Sequence, residues 1–234
     1  MRDNVVAPHA SDIVFLLDVD NTLLDNDRII EDLRAHLLRE FDADCAARYW
    51  ETFEELRREL GYADYLVALQ RYRRAIEHST GHIHQLLQMS AFLIDYPFAD
   101  RLYPGALDAI RHLASIGPTV ILSDGDVVFQ PRKVRRSGLW DAVAGQVLIY
   151  EHKETMLAAV QQLYPSRHYV MVDDKVRLLT AMKAVLRDRL TTVFPRQGHY
   201  AFDVAEISAY PTPDITVERF VDIAGIAHQR WRAP

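Results

Sequence analysis

Asp18 and Asp20 stand two positions apart at the end of an apolar run, in FLLDVDNTLLDND, residues 15–27. Like charges this close repel unless a cation or a proton separates them. Alone, the pair is also compatible with a turn, because aspartate ends strands and caps helices. Three later clusters have the same placement: Ser123 and Asp124 in TVILSDGD, Lys153 in LIYEHKE, and Asp173 and Asp174 in YVMVDDK. Each has its own ordinary explanation: a turn serine, a solvated lysine at a helix start, an N-cap aspartate. Their shared position, after an apolar run, brings carboxylates, a hydroxyl and an ammonium to one rim if the runs are parallel strands.

Phosphoryl transfer uses such a set. A carboxylate is ionised at neutral pH, with an ordinary pKa of about 3.9, so Asp18 needs no base to act as a nucleophile. Its difficulty is approaching a phosphate dianion. Mg²⁺ held by Asp18, the Asp20 main-chain carbonyl and Asp173 would cancel that repulsion, since hard oxygen ligands suit it. Ser123 and neighbouring backbone N–H groups, at Asp124 and Gly125, are candidates to hold the phosphoryl oxygens, and Lys153 supplies positive charge. Asp20 can protonate the leaving oxygen and later activate the water that cleaves the aspartyl-phosphate.

The elements that must position these groups are legible as short continuous apolar runs, expected for a parallel sheet covered on both faces. IVFLLD (13–18), TVILSD (119–124), QVLIYEHK (146–153) and HYVMVDD (168–174) are the main strands; LTTVF (190–194) and DITV (214–217) are weaker ones. Helices are expected over 105–116, 127–137, 155–163 and 176–189, so strand and helix alternate as in a doubly wound α/β sheet. Residues 29–98 break this rhythm. Leu33, Leu37 and Phe41 repeat at helical spacing, as do Tyr49, Phe53, Leu56 and Leu60, and then Tyr65, Leu69, Tyr72 and Ile76. Gly61 and Gly81 stand where helices would stop. About four helices are expected there, dividing the chain into a core of residues 1–28 and 99–234 and a helical insert of residues 29–98.

The bulk composition excludes several classes. The 234 residues are 49% hydrophobic and 26% charged with net charge −6, an ordinary globular mixture and no footprint for nonspecific nucleic-acid binding. One cysteine, Cys45, permits no intramolecular disulfide and suits a reducing compartment. Neither a signal-peptide core nor a membrane-length apolar run is seen, so a cytoplasmic monomer or homodimer without membrane or nucleic-acid partners is expected.

DVDNT resembles the first signature of the haloacid dehalogenase-like hydrolase superfamily, and LSDGD, Lys153 and VDD are similar to the other three in order. The insert is similar to the cap that one subgroup carries between the first two signatures. The resemblance implies a Rossmann-like core with Asp18 as nucleophile, Asp20 as general acid/base and Lys153 as stabilising cation. It makes Thr22 and Ser123 supporting groups on the substrate side and Asp173, or its neighbour Asp174, the metal ligand. Three positions depart from the pattern: Arg177 stands where many relatives have an acid, Glu154 where proline is common, and Asn21 for a frequent glycine. Relatives that cleave carbon–halogen bonds lack the second aspartate, so Asp20 favours a phosphate ester. The expectation is a Mg²⁺-dependent phosphatase of a small phosphorylated metabolite. The alternatives are a phosphomutase with the same site, or a catalytically silent member that binds a phospho-ligand or a partner.

Other signals read as structural. His78, His82 and His84 lack a completing acid or cysteine for zinc. Arg71, Arg73 and Arg74 read as a solvated helix face, and so do Arg132, Lys133, Arg135 and Arg136. Arg196 and His199 follow a candidate strand and could reach the site rim but read as an ordinary surface loop. The insert tyrosines read as core, with Tyr62, Tyr65 and Tyr72 as the ones that could face the cleft.

Overall fold

A computed structural model describes residues 11–76 and 83–231. Six parallel strands form one sheet: β1 (Ser11–Leu17), β2 (Thr119–Asp124), β3 (Val147–Tyr150), β4 (Ser166–Val172), β5 (Leu190–Pro195) and β6 (Ile215–Val217). Their order is β3-β2-β1-β4-β5-β6. β1 lies between β2 and β4, with Leu17 opposite both Ile121 and Val172. The chain order reverses there, and the carboxyl ends of adjacent strands diverge to leave a crevice.

Both faces of the sheet are covered, which is why its strands are apolar at successive positions rather than alternate ones. Val14 and Leu16 join one core with Leu157, Val160, Val176, Leu179 and Met182. Ile13, Phe15 and Leu17 point the other way, into a core with Ile110, Leu113, Val134 and Leu139. The result is the doubly wound α/β architecture expected from the alternation of strands and helices.

Between β1 and β2 lie four helices: α1 (Asn26–Glu40), α2 (Ala43–Leu60), α3 (Tyr65–Ile76) and α4 (Ile83–Asp95). Asp25 caps α1 by accepting the Arg28 N–H, Asp42 caps α2 through Cys45, and Asp64 accepts the Val67 N–H at the start of α3. Gly61 ends α2 at φ 79°, with its N–H donated to Arg57 O. A side chain there would suffer both the left-handed backbone and a contact 2.9 Å from the His152 ring. Leu33, Leu37, Tyr49, Phe53, Leu56, Tyr65, Leu69, Tyr72 and Ile76 are all buried. Gly81, expected as a helix stop, lies outside the described residues.

After β2 come α6 (Phe129–Arg136) and the short α7 (Leu139–Ala142); α5 (Ala106–Ala114) precedes it, and α8 (Leu157–Leu163), α9 (Val176–Leu186) and α10 (Val204–Ser208) follow β3, β4 and β5. Several bounds differ from expectation. The strand expected over 146–153 spans only Val147–Tyr150, because Lys153 turns into a 3-10 segment that brings its side chain inward. The helix expected from residue 127 begins at Phe129, because Asp126 Oδ1 accepts the N–H groups of Val128 at 2.7 Å and Phe129 at 2.6 Å. The expected helix over 176–189 ends at Leu186 and tightens into a 3-10 turn.

The solvated basic face expected on α6 holds for Arg135 and Arg136, which are exposed, and is corrected at Lys133. Lys133 is 1% exposed. Arg132 donates to Ile94 O at 2.6 Å and Arg136 to Asp95 O at 2.8 Å, so both cover the orphan carbonyls and the negative end of α4. Arg135 stacks over the Trp140 ring at 3.6 Å. Arg71 pairs with Glu59 on the insert surface.

Candidate active site

Asp18 follows β1 directly, Ser123 and Asp124 close β2, and Asp173 and Asp174 follow β4, so three neighbouring strands deliver their polar ends to one place. Lys153 arrives from the turn after β3. It is fully buried, with its Nζ 2.5 Å from Asp18 Oδ1 and 2.7 Å from Asp173 Oδ2. Asp124 Oδ1 accepts the Lys153 N–H at 2.8 Å, fixing the turn that aims the ammonium.

Asp18, Asp173 and Asp174 are all buried and each offers a carboxylate oxygen, all within 4.8 Å of one another. Asp173 has partners besides Lys153, since its Oδ1 accepts the Lys175 N–H at 2.8 Å. Both oxygens of Asp174 are buried without a hydrogen-bond partner. Buried polar atoms are normally paired, so an orphaned carboxylate facing two others wants a cation. The donors are hard oxygens, which fit Mg²⁺. Both candidate aspartates therefore belong to the set, and Asp174 has the freer oxygens. Burial pushes the Asp18 carboxyl up to about 6, against the opposing pull of Lys153, and Asp173 raises it further. Burial likewise pushes Asp174 well up. Lys153 is held far above its ordinary value because Asp173 and Asp18 outweigh its own burial.

The expected substrate-side residues divide. Ser123 Oγ is buried, accepts from Gln130 Nε2 at 3.0 Å and lies on the rim. Thr22 Oγ1 accepts the Asp174 N–H at 3.1 Å, so Thr22 orients a metal-side carboxylate. The Gly125 N–H donates to Tyr150 O at 2.9 Å and is not free for a phosphoryl oxygen. A side chain at Gly125 would lie 2.8 Å from Gln130, so its contribution is space.

Asp20 lies outside the three-carboxylate cluster. Its oxygens accept from Lys133 Nζ at 2.7 and 3.0 Å, and its side chain remains 27% exposed. Asn21 adopts φ 60°, a left-handed value that asparagine tolerates better than most residues, which accounts for its standing where glycine is frequent. Its Oδ1 accepts the N–H groups of Asn26 and Asp27, securing the turn into α1.

A cleft of about 90 Å³ opens between this rim and the insert, lined by Asp20, Asp124, Lys175 and His199 on one side and Phe53, Arg57 and Tyr62 on the other. Arg57 of α2 donates to the Tyr200 hydroxyl across it. His199 corrects the surface-loop expectation: its N–H and ring bind Asp27 at 2.7 and 2.6 Å and it borders the cleft. Glu154 and Arg177, two of the departures, meet 3.7 Å apart and also line it. Tyr62 faces the cleft, Tyr65 is buried against Phe53 and Phe129, and Tyr72 packs on Tyr49 within the insert. His84 is exposed; His78 and His82 lie outside the described residues.

Sequence reasoning missed Lys133, Gln130, Lys175 and Arg57, and named His199 only as the lesser of two readings. Arg57 enters through tertiary packing, without a local signal, whereas His199 carried one, its place after the strand at 190–194. Lys133, four residues after Phe129 and so on the same face of the helix, carried a faint one.

A parallel sheet that gathers Asp18, a buried lysine and the Asp173–Asp174 pair at its strand ends defines a protein of the doubly wound α/β type. The family model for haloacid dehalogenase-like hydrolases matches residues 14–185, and the chain belongs to that family. A haloacid dehalogenase-like hydrolase from Burkholderia xenovorans LB400 is 67% identical, with a TM-score of 0.88 over 93% of this chain and 99% of that one. A family hydrolase from Xanthomonas campestris shares the fold at 17% identity, with a TM-score of 0.63 over 95% of this chain and 92% of that one. The L-2-haloacid dehalogenase of Xanthobacter autotrophicus does so at 16%, with a TM-score of 0.59 over 91% of this chain and 96% of that one. No curated protein matches the chain. Among the described residues no helix is long and apolar enough to cross a membrane.

Proposed function

We propose that this hydrolase is a Mg²⁺-dependent phosphatase of a small phosphorylated metabolite. The observation that carries the reading is the buried trio Asp18, Asp173 and Asp174 with both Asp174 oxygens unpartnered. Displacing a halide from a neutral carbon needs no divalent cation, and a halide leaves without a proton. A metal-ready acidic cluster beside a second aspartate suits a phosphate ester, whose charge must be neutralised and whose alcohol must be protonated.

Asp18, Asp173 and Asp174 would hold Mg²⁺, which when bound supplies the positive charge that lets two anions approach. An Asp18 oxygen attacks phosphorus while the ester P–O bond breaks, and the departing oxygen takes a proton from Asp20. Lys153 holds Asp18 in place from within and neutralises part of its charge. In the second half, Asp20 accepts a proton from water as the water oxygen attacks phosphorus and the P–O bond to Asp18 breaks. Ser123 is placed to donate to a phosphoryl oxygen. The four insert helices act as a cap that narrows the cleft and limits water, with Arg57 and Tyr62 meeting the substrate's far end.

The test is a screen of sugar phosphates, nucleotides and phosphorylated acids alongside 2-haloacids, with and without Mg²⁺. Phosphate release that requires Mg²⁺ and is abolished in Asp18→Asn is expected. Metal-independent halide release with no phosphatase activity would replace the reading.

A further inference from the structure

Lys133 is a fully buried cation that the reaction outlined above does not use. Its Nζ carries three hydrogens, and three acceptors take them: Asp20 Oδ1 at 2.7 Å, Asp20 Oδ2 at 3.0 Å and Asn26 Oδ1 at 3.2 Å. No donor is left for a substrate. The Phe129 ring lies below the ammonium, 5.7 Å away. Gln130, one turn earlier on α6, reaches Ser123 Oγ at 3.0 Å and Asp20 Oδ2 at 3.5 Å.

The partners differ in exposure. Lys133 is sealed at 1%, whereas the Asp20 side chain is 27% exposed and lines the cleft. The lysine therefore grips the carboxylate from behind and leaves its front open to a reacting oxygen. A buried ion pair is a weak stabiliser, because desolvation offsets most of the attraction, and an apolar side chain would fill the same space at less cost. Lys133 also links two elements, since Asp20 follows β1 while its third acceptor, Asn26, is the first residue of α1.

We infer that Lys133 is a positioning residue: it fixes the Asp20 carboxylate toward the cleft and ties that orientation to the first turn of the insert. The inference rests on the phosphatase reading and on Asp20 as its acid/base. An acid/base misplaced by an ångström loses much of its effect, so removing the grip should act through Asp20 alone.

A double-mutant cycle tests it, with Lys133→Met, Asp20→Asn and the double variant measured on ethyl phosphate and on p-nitrophenyl phosphate with Mg²⁺. Ethoxide needs a proton to leave and nitrophenolate does not. By rapid mixing, Lys133→Met is expected to slow the first turnover of ethyl phosphate about 10–100-fold, less than the roughly 10²–10⁴-fold of removing general acid help altogether. It should slow the first-turnover burst of nitrophenol much less, the later hydrolysis of the intermediate being common to both esters. In the Asp20→Asn background it should cause no further loss. Multiplicative losses, or equal first-turnover losses on the two esters, would overturn the inference while leaving an active wild type and the phosphatase reading standing. Absence of Mg²⁺-dependent turnover in the wild type would overturn both. If the methionine variant does not fold by circular dichroism, Lys133→Gln carries the same comparison, since it keeps a donor but no charge.

Discussion

Asp174 shows how much one residue's surroundings dictate. Its N–H is held by Thr22 Oγ1, yet both carboxylate oxygens are buried and unpartnered. Its neighbour Asp173 has Lys153 and the Lys175 N–H. An ion that satisfies Asp174 removes the cost of that burial, so binding should stabilise the fold by RT ln(1 + [L]/Kd), about 2.7 kcal/mol at a hundredfold excess over Kd. For a chain of this size that corresponds to a rise in Tm of roughly 5–10 °C. Wild type should show this rise with MgCl₂, and Asp174→Ala should lose most of it while keeping its fold. An undiminished rise in the variant would place the ion elsewhere. At this scale the sequence exposed Asp18, Lys153 and the acidic pair, because each follows an apolar run. It did not distinguish Asp173 from Asp174. That difference is one of hydrogen-bond partners, and a linear sequence does not show partners.

At the scale of elements, the sheet edge depends on a polar clasp. Asp214 Oδ2 accepts from the Thr192 N–H at 2.8 Å, from Thr192 Oγ1 at 2.9 Å and from Lys183 Nζ at 2.8 Å, joining β5, α9 and the start of β6. Burial raises the Asp214 carboxyl, but the bonds from Lys183 and Thr192 outweigh it and hold the group below its ordinary value. A group depressed in the folded state adds stability above its unfolded pKa and loses it as pH falls through the folded one. Asp214→Asn should therefore melt below wild type near neutral pH. The gap should narrow once pH drops under about 3.9, the ordinary carboxylate value. A gap that stays constant between pH 7 and pH 3 would mean that shape rather than charge makes the clasp. The six strands were readable because each is a short apolar run flanked by polar residues. The ends of elements were less so. β3 stops at Tyr150 and α6 starts at Phe129 because of turns, and those turns are fixed by Lys153 reaching Asp18 and by Asp126 binding two N–H groups. On the basic face of α6 the expectation fails at Lys133, which is buried because Asp20 and Asn26 supply acceptors for it. Arg132 and Arg136 stay partly solvated and in addition donate to carbonyls at the end of α4.

Over the whole molecule, the insert and the core are one apolar body on the side away from α8 and α9. Leu33, Tyr49, Phe53 and Tyr65 of the insert belong to the same cluster as Phe15, Leu17, Phe98 and Phe129. Ring contacts carry the continuity: Phe53 stacks on Tyr65 at 4.8 Å, Tyr65 meets Phe129 at 5.4 Å, and Phe129 meets Phe98 at 5.8 Å. Arg132 and Arg136 on the α4 carbonyls, Lys133 on Asn26 and Arg57 on Tyr200 add polar ties at separate points. Parting the two bodies would expose those rings and leave helix-end carbonyls unpaired, so partial unfolding of the insert has little to favour it. Unfolding should then be one cooperative transition. The three tryptophans provide the measurement, since Trp50 lies on α2 of the insert while Trp140 and Trp231 lie in the core. A variant keeping only Trp50 and one keeping only Trp140, with phenylalanine at the other two positions, should give urea transitions that each coincide with the same variant's circular dichroism transition. Tyr65→Ala would break the ring chain at its centre, at a cost of about 3–5 kcal/mol by analogy with other buried aromatic truncations. In that background the Trp50 transition should separate to lower urea than the Trp140 one. Separate transitions already in the parent variants would show an insert that melts on its own, and coincident transitions in Tyr65→Ala would show that the polar ties suffice to couple the two bodies.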